Sequence, residues 1–95
     1  MWRITNFRRL ASVKVNIIYC GVWDHRPKFE LVQSQILDEF GADKVNVSGK
    51  AHMNHSGIFN VLVNDQLVHE KLAGDGHVDN DAKLNRIFQA IDDAL

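Results

Sequence analysis

The only cysteine of the chain, Cys20, is the residue most capable of covalent chemistry. It follows an alternating apolar run and precedes a turn and a helical pattern, which places it at the carboxyl end of a strand, where open α/β sheets present reactive groups. His25, Arg26 and Lys28 follow closely, and such cations stabilise a thiolate, whereas Asp24 opposes them. A free cysteine is also commonly a buried small apolar residue. Position alone leaves both interpretations open.

The histidines and aspartates do not form a convincing metal motif. A zinc site would need more than the His-x-x-His spacing of His52 and His55, even with His25 and His77 added, because no second cysteine or paired carboxylates accompany them. The aspartates at 75, 79 and 81 lack the spacing and terminal glutamate of a calcium loop. We therefore predict no bound metal.

Composition restricts the class of protein. The 95 residues, 45% hydrophobic and 24% charged, suit one small domain. Eleven basic against twelve acidic residues give a net charge of −1, which argues against a nucleic-acid partner. A single cysteine excludes an intrachain disulfide and fits a reducing compartment. With neither a secretory signal nor a membrane-spanning run, we predict a cytoplasmic protein without a membrane partner.

The pattern predicts two helices and four strands in the order βαβββα. Residues 13–19 alternate as a strand, Pro27 opens a helix that runs to Phe40, and residues 44–48 form a second strand followed by a polar loop at 49–56. Residues 58–63 and 66–71 form an antiparallel hairpin through Asn64-Asp65. Asp79 or Asn80 caps a last helix whose apolar face includes Leu84, Ile87, Phe88, Ile91 and Leu95.

These elements predict an α/β domain of two layers. The first strand, helix and second strand form a βαβ unit, the hairpin extends its sheet, and both amphipathic helices lie on that sheet. We expect residues 1–12, which are basic and free of acids, to be a flexible tail, and residues 13–95 to be the domain.

Several ordered motifs resemble the Rdx and selenoprotein W family of small thioredoxin-like proteins. The run from Val15 to Trp23 resembles the family's first strand and redox loop. The other similar motifs are Leu37-Asp38-Glu39-Phe40, Ser56-Gly57-Ile58-Phe59, Leu67-Val68-His69 and Gly74-Asp75-Gly76-His77-Val78-Asp79. The resemblance implies a thioredoxin-like βαβββα fold with a mixed four-stranded sheet and two helices.

The resemblance also implies thiol redox chemistry. In the family, the redox loop is Cys-x-x-selenocysteine or Cys-x-x-Cys; here Cys20 holds the first position, Gly21 and Val22 shape the loop, and Trp23 holds the second. A dithiol cycle needs a second nucleophile, which an indole does not supply. Three interpretations of Trp23 are open: a misassigned selenocysteine, since UGA and UGG differ by one base; a protein that works with one thiol; or an aromatic anchor for a partner.

The expected partners follow from the same resemblance. We expect no bound cofactor, glutathione as co-substrate, client protein thiols, and, by family resemblance, proteins of the 14-3-3 type. Arg26 and Lys28 would attract glutathione carboxylates, and Ser56-Gly57 would occupy the position where thioredoxin-like proteins hold a cis-proline beside the cysteine. The alternative function is a non-catalytic interaction module that uses the surface of the redox loop.

Overall fold

The computed structural model describes residues 12–22, 25–53 and 56–95. Its elements follow the predicted order, with a short 3-10 turn at Lys71–Ala73 before the last helix. The bounds are β1 (Val13–Cys20), α1 (Arg26–Phe40), β2 (Val45–His52), β3 (Phe59–Val63), β4 (Gln66–Glu70) and α2 (Asp81–Ala94). The expected tail, residues 1–12, lies outside this description except for its last residue.

The four strands form one mixed sheet in the order β2-β1-β3-β4. β1 is parallel to β2 and antiparallel to β3, and β3 is antiparallel to β4. This arrangement confirms the predicted mixed sheet. Since β1 lies between β2 and β3, its last residue, Cys20, pairs with His52 of β2 and lies next to the residue that precedes β3, Ile58.

Both helices pack on one face of the sheet. Alternate residues of the strands point towards them and join the buried helix residues Phe29, Val32, Ile36, Ile87 and Ile91 in one core. The strand residues of that core are Val13, Val15, Ile17, Tyr19, Val45, Val47, Phe59, Val61 and Val63. Of the predicted apolar face of α2, Ile87 and Ile91 are buried and Leu84 and Phe88 are half-buried, whereas Leu95 is 57% exposed because it follows the end of α2.

The second strand is longer than predicted. Residues 49–52, predicted as part of a polar loop, continue β2, with Gly49 paired to Ile17 and His52 paired to Cys20. The side chains of this extension are mostly polar and do not show the alternating apolar pattern of a strand. Backbone pairing with β1, and not an apolar face, stabilises it. A glycine suits position 49, since an added Cβ would lie 2.5–2.7 Å from ring carbons of Phe29.

The turns and helix caps agree with the predicted chemistry. Asn64 and Asp65 have φ angles of 49° and 69°, as a tight hairpin connection between β3 and β4 requires. Of the two predicted caps for α2, the structure selects Asn80, whose side chain accepts a hydrogen bond from the Lys83 backbone N–H. Among the described residues, no helix is long and apolar enough to cross a membrane.

Candidate functional site

Cys20 lies fully buried at the end of β1. Its backbone N–H donates to the Ile58 carbonyl at 2.9 Å, and its carbonyl accepts from the His25 N–H at 3.1 Å. Its exposed fraction is 0%. The structure therefore places the cysteine at the end of the predicted strand with its side chain buried, and its reactivity remains a prediction.

Gly21 continues the chain through a narrow space. Its N–H donates to the His52 carbonyl at 3.0 Å, and an added Cβ would lie 2.7 Å from Met53 Sδ and 3.0 Å from Ala51 Cβ. Val22 follows in the same turn and is partly exposed. Trp23, the second position of the predicted redox loop, lies outside the described residues, as does Asp24.

Ser56 and Gly57 lie beside the backbone of Cys20. Ser56 Oγ accepts a hydrogen bond from the Ile58 N–H at 3.4 Å, and the Ile58 carbonyl is the acceptor for Cys20. Gly57 is buried, with a φ angle of 68°. The two residues therefore adjoin the strand end that carries the thiol, and their part in substrate binding remains a prediction.

Arg26 and Lys28 occupy the exposed first turn of α1. The Arg26 guanidinium lies 3.5 Å from the Glu30 carboxylate, and both side chains are more than half exposed, so this ion pair contributes little to stability. Lys28 lines a groove between α1 and the segment that follows β4. The two cations thus differ in position, because only Lys28 borders a concave surface.

His25 and His77 form a contact that sequence reasoning did not anticipate. Their rings meet edge to face with centroids 4.7 Å apart, and the His77 ring also packs against Phe59 at 5.3 Å. This contact joins the residue before α1 to the turn before α2. The signal in the sequence is the histidine that follows Gly74-Asp75-Gly76.

The surroundings of His77 keep its imidazole neutral. Burial, followed by the nearby His25, Lys28 and Lys71, lowers the pKa of His77 to about 4, and the opposing effect of Asp79 is smaller. Its Nδ1 atom is buried without a hydrogen-bond partner among the described residues. Cations therefore predominate around this ring.

Hydrogen bonds fix the turn that carries His77. The buried His69 holds Nε2 2.7 Å from the Gly76 carbonyl, so Nε2 carries the proton and donates. The Asp75 carboxylate accepts from the Glu70 N–H at 2.9 Å, and this hydrogen bond is the main reason that the pKa of Asp75 lies below its ordinary value. The turn is thereby held against β4 and keeps His77 beside His25.

The family can now be assigned. The sequence pattern of the Rdx family matches residues 14–89. This chain belongs to the Rdx family. It is 39% identical over 84 residues to selenoprotein W of Danio rerio, a match that covers 88% of this chain and 96% of the relative. It is 40% identical to selenoprotein W of Gallus gallus, over 87% of this chain and 96% of the relative.

Solved structures support the thioredoxin-like fold of this Rdx protein. A selenoprotein W-related protein of Vibrio cholerae superposes with a TM-score of 0.67 at 16% identity, covering 86% of this chain and 95% of the other. A protein of Bordetella parapertussis superposes with a TM-score of 0.64 at 21% identity, covering 88% of this chain and 99% of the other. At these identities the likeness concerns the fold, and the family assignment comes from the sequence.

The Rdx chain brings part of the predicted site together. Cys20 and Gly21 are joined by backbone hydrogen bonds to the strand ends at His52 and Ile58, and His25 links them to the first turn of α1. Arg26 points to a surface partner on its own helix and does not share the groove that Lys28 lines. The described residues contain no group of three or more histidine, cysteine or acidic side chains able to hold a metal ion.

Proposed function

We propose that this Rdx protein is a thiol redox protein that forms a mixed disulfide between Cys20 and glutathione or a client thiol. The observation that supports the proposal is the position of the only cysteine, at the carboxyl end of β1 in a thioredoxin-like fold, on the first position of the family's redox loop. The second position, Trp23, carries no thiol. The cycle therefore uses one protein sulfur, in a reducing compartment such as the cytoplasm.

The exchange takes two balanced steps. The Cys20 thiolate attacks the glutathione sulfur of a mixed disulfide between glutathione and a client protein, a new S–S bond forms as the original one breaks, and the client thiolate leaves and takes up a proton. A second glutathione thiolate then attacks the glutathione sulfur of the mixed disulfide. This step restores the Cys20 thiolate and releases glutathione disulfide, so no second protein thiol is required.

Burial of Cys20 sets the kinetics that we expect. Since the exposed fraction of Cys20 is 0%, the groups that cover its sulfur have to move before the thiolate can attack a disulfide. The alkylation rate in the native protein should therefore fall below that of an unstructured cysteine peptide and reach the peptide's rate in denaturant. Equal alkylation rates for the native protein and the peptide would show that the fold does not restrict access to the Cys20 thiol, and would contradict this expectation.

The direct test is mass spectrometry of the intact protein. After incubation with glutathione disulfide, the protein should gain one glutathionyl group, and excess glutathione should remove it. The Cys20→Ser variant is the control and should gain none. A native protein that stays unmodified, while denatured protein is modified, would overturn the proposed exchange.

The burial of Cys20 favours a second candidate, a non-catalytic interaction module. An aromatic residue in a surface loop is a frequent anchor at protein interfaces, and Trp23 holds such a position in the sequence. Client proteins, including those of the 14-3-3 type that the family resemblance suggests, would then bind without a disulfide. If the protein is an interaction module, Trp23→Ala should weaken its binding to a purified 14-3-3 protein and Cys20→Ser should not. If it is a redox protein, Cys20→Ser should abolish the formation of mixed disulfides with clients, and Trp23→Ala should affect it less.

The identity of residue 23 in the natural protein decides which chemistry is available. Peptide mass spectrometry of protein from its natural source distinguishes tryptophan from selenocysteine at this position. Tryptophan would confine the chemistry to the single thiol proposed here. Selenocysteine would supply a second nucleophile and replace the one-thiol cycle with a two-residue cycle.

A further inference from the structure

The face of the sheet opposite the two helices carries two regular rows of side chains. Residues that pair directly across neighbouring strands point to the same face, so the register fixes the members of each row. In the order β2, β1, β3 and β4, the charged row is Lys50, Ile18, Asn60 and Glu70, and the leucine row is Ser48, Asn16, Leu62 and Leu67. Ile17 and Tyr19 alternate with these residues along β1 and are buried in the core below the helices.

The charges on this face are separated by sign. Lys14 and Lys50 lie on β1 and β2, whereas Asp65 lies in the hairpin after β3 and Glu70 ends β4. In the part of the chain that the structure describes, no ion pair involves any of these four side chains. Lys50 and Glu70 are three strand spacings apart, about 14 Å, so they do not pair within one molecule. One half of the face is therefore cationic and the other half anionic.

The two halves of the face also differ in shape. A hollow of about 420 Å³ lies over β1 and β2, and its lining includes Ile18, Ser48 and Gly49. On the other half, Leu67 is 45% exposed and stands beside the half-buried Leu62. An apolar side chain thus projects from the anionic half, and a space with an apolar floor lies in the cationic half.

We propose that two copies of this chain associate through this face, about a two-fold axis that runs parallel to the strands between β1 and β3. Rotation about this axis places β2 of one copy over β4 of the other and keeps each row at its own level. Lys50 then faces Glu70 of the second copy, and Leu67 of the second copy enters the hollow beside Ser48. Both contacts occur twice, because the same surface of each copy forms a two-fold interface.

This arrangement has the geometry of two sheets packed face to face. Such sheets cross at up to about 30°, which displaces an edge strand by about 4 Å, a distance that a lysine side chain spans. The face measures about 20 by 23 Å, so two such faces cover on the order of 1,000 Å². That area is typical of weak, reversible interfaces, and we expect a dissociation constant on the order of 100 μM.

Charge reversal tests the pairing of Lys50 with Glu70 across the axis. Sedimentation equilibrium of the full chain gives the dissociation constant, in a reducing buffer so that no disulfide between two Cys20 residues joins the copies. Lys50→Glu and Glu70→Lys should each raise this constant about tenfold, because each substitution sets like charges against each other at two places. An equimolar mixture of the two variants should associate as tightly as the wild type, since opposite charges face each other at both places in the mixed dimer.

A leucine substitution tests the apolar part of the interface. Leu67→Gln should raise the dissociation constant at least tenfold, because each dimer loses two apolar side chains from contact. Leu31→Gln is its matched control, since Leu31 is similarly exposed, at 54%, but lies on α1. Glu39→Lys, also on exposed α1 surface, is the control for Glu70→Lys because it makes the same change in charge. Both controls should dimerise as the wild type does.

Three results would overturn the proposal. A wild-type chain that stays monomeric at about 1 mM, ten times the expected dissociation constant, does not use this face for a second copy, and the face would then serve a different partner. A dimer that Leu67→Gln and both charge reversals leave unchanged has its interface elsewhere. If each charge reversal weakens the dimer but the mixture of the two does not recover, Lys50 and Glu70 do not face each other.

Discussion

The His25 and His77 rings meet edge to face, with centroids 4.7 Å apart, and so connect the start of α1 to the turn before α2. The two residues are far apart in the chain, yet His25 affects the protonation of His77. A positive charge on His25 disfavours one on His77, and Lys28 and Lys71 act in the same direction. This packing makes the structure sensitive to acid.

Acid should destabilise the protein between pH 6.5 and 4 through His77. The folded state holds the pKa of His77 at about 4, against an ordinary value of 6.5. In that window the unfolded chain binds a proton that the folded chain does not, so the free energy of unfolding decreases as the pH falls. We expect a loss on the order of 1 kcal/mol, because solvent screens part of the interaction.

Urea denaturation at several pH values measures this effect. His77→Phe, which keeps an aromatic ring against Phe59, should remove most of the dependence between pH 6.5 and 4. Below that window, Asp75 and Asp79, whose pKa values lie below the ordinary value of 3.8, lose their ionised form, and stability falls further in both proteins. Parallel pH profiles for the two proteins above pH 4 would contradict the assignment to His77.

Gly49→Ala should destabilise the protein by about 1–3 kcal/mol through overpacking. The new methyl group would lie 2.5–2.7 Å from ring carbons of Phe29. That ring has little freedom to move, because it stacks on Tyr19 at 5.3 Å. Thermal or urea unfolding measures the loss, and a double variant with Phe29→Leu should recover part of it relative to Phe29→Leu alone. Additive losses would argue that the ring is not the obstacle.

The hairpin between β3 and β4 offers a matched pair of substitutions with opposite signs. Asp65→Gly should stabilise the protein by about 0.5–1 kcal/mol, because Asp65 has a φ angle of 69° that glycine adopts without cost. Asn64→Gly also relieves a positive φ, but it removes the side-chain oxygen that accepts a hydrogen bond from the Lys14 N–H at 2.9 Å. We expect it to destabilise by about 0.5–1 kcal/mol. The same sign for both variants in urea unfolding would refute the role of that hydrogen bond.

Asn80→Ala should destabilise α2 by about 1 kcal/mol, since its side chain accepts a hydrogen bond from the Lys83 N–H at 2.9 Å. Asn80→Asp keeps an acceptor at the same place and should retain most of the stability. Unfolding curves of the two variants provide the comparison. If aspartate cost as much as alanine, the cap would owe its effect to something other than this acceptor.

Periodicity and turn chemistry made most of the fold predictable. Alternation in residues 13–19, the apolar faces of both helices and the Asn64-Asp65 connection are local signals, and the structure agrees with each. The extension of β2 to His52 escaped prediction because polar residues there pair with β1 through their backbone. The sequence left the burial of Cys20 open and did not predict the contact between His25 and His77, for a related reason. Both depend on contacts between segments that are far apart in the sequence.

The central place of β1 also affects how the protein is made. Its partners, β2 and β3, are both synthesised after it, and the acceptor for the Cys20 N–H, Ile58, emerges 38 residues later. At synthesis rates of about 5–20 residues per second, the nascent chain carries its thiol uncovered for roughly 2–8 s. Oxidants and glutathione disulfide therefore meet Cys20 most freely on the ribosome, and completion of the sheet ends that interval.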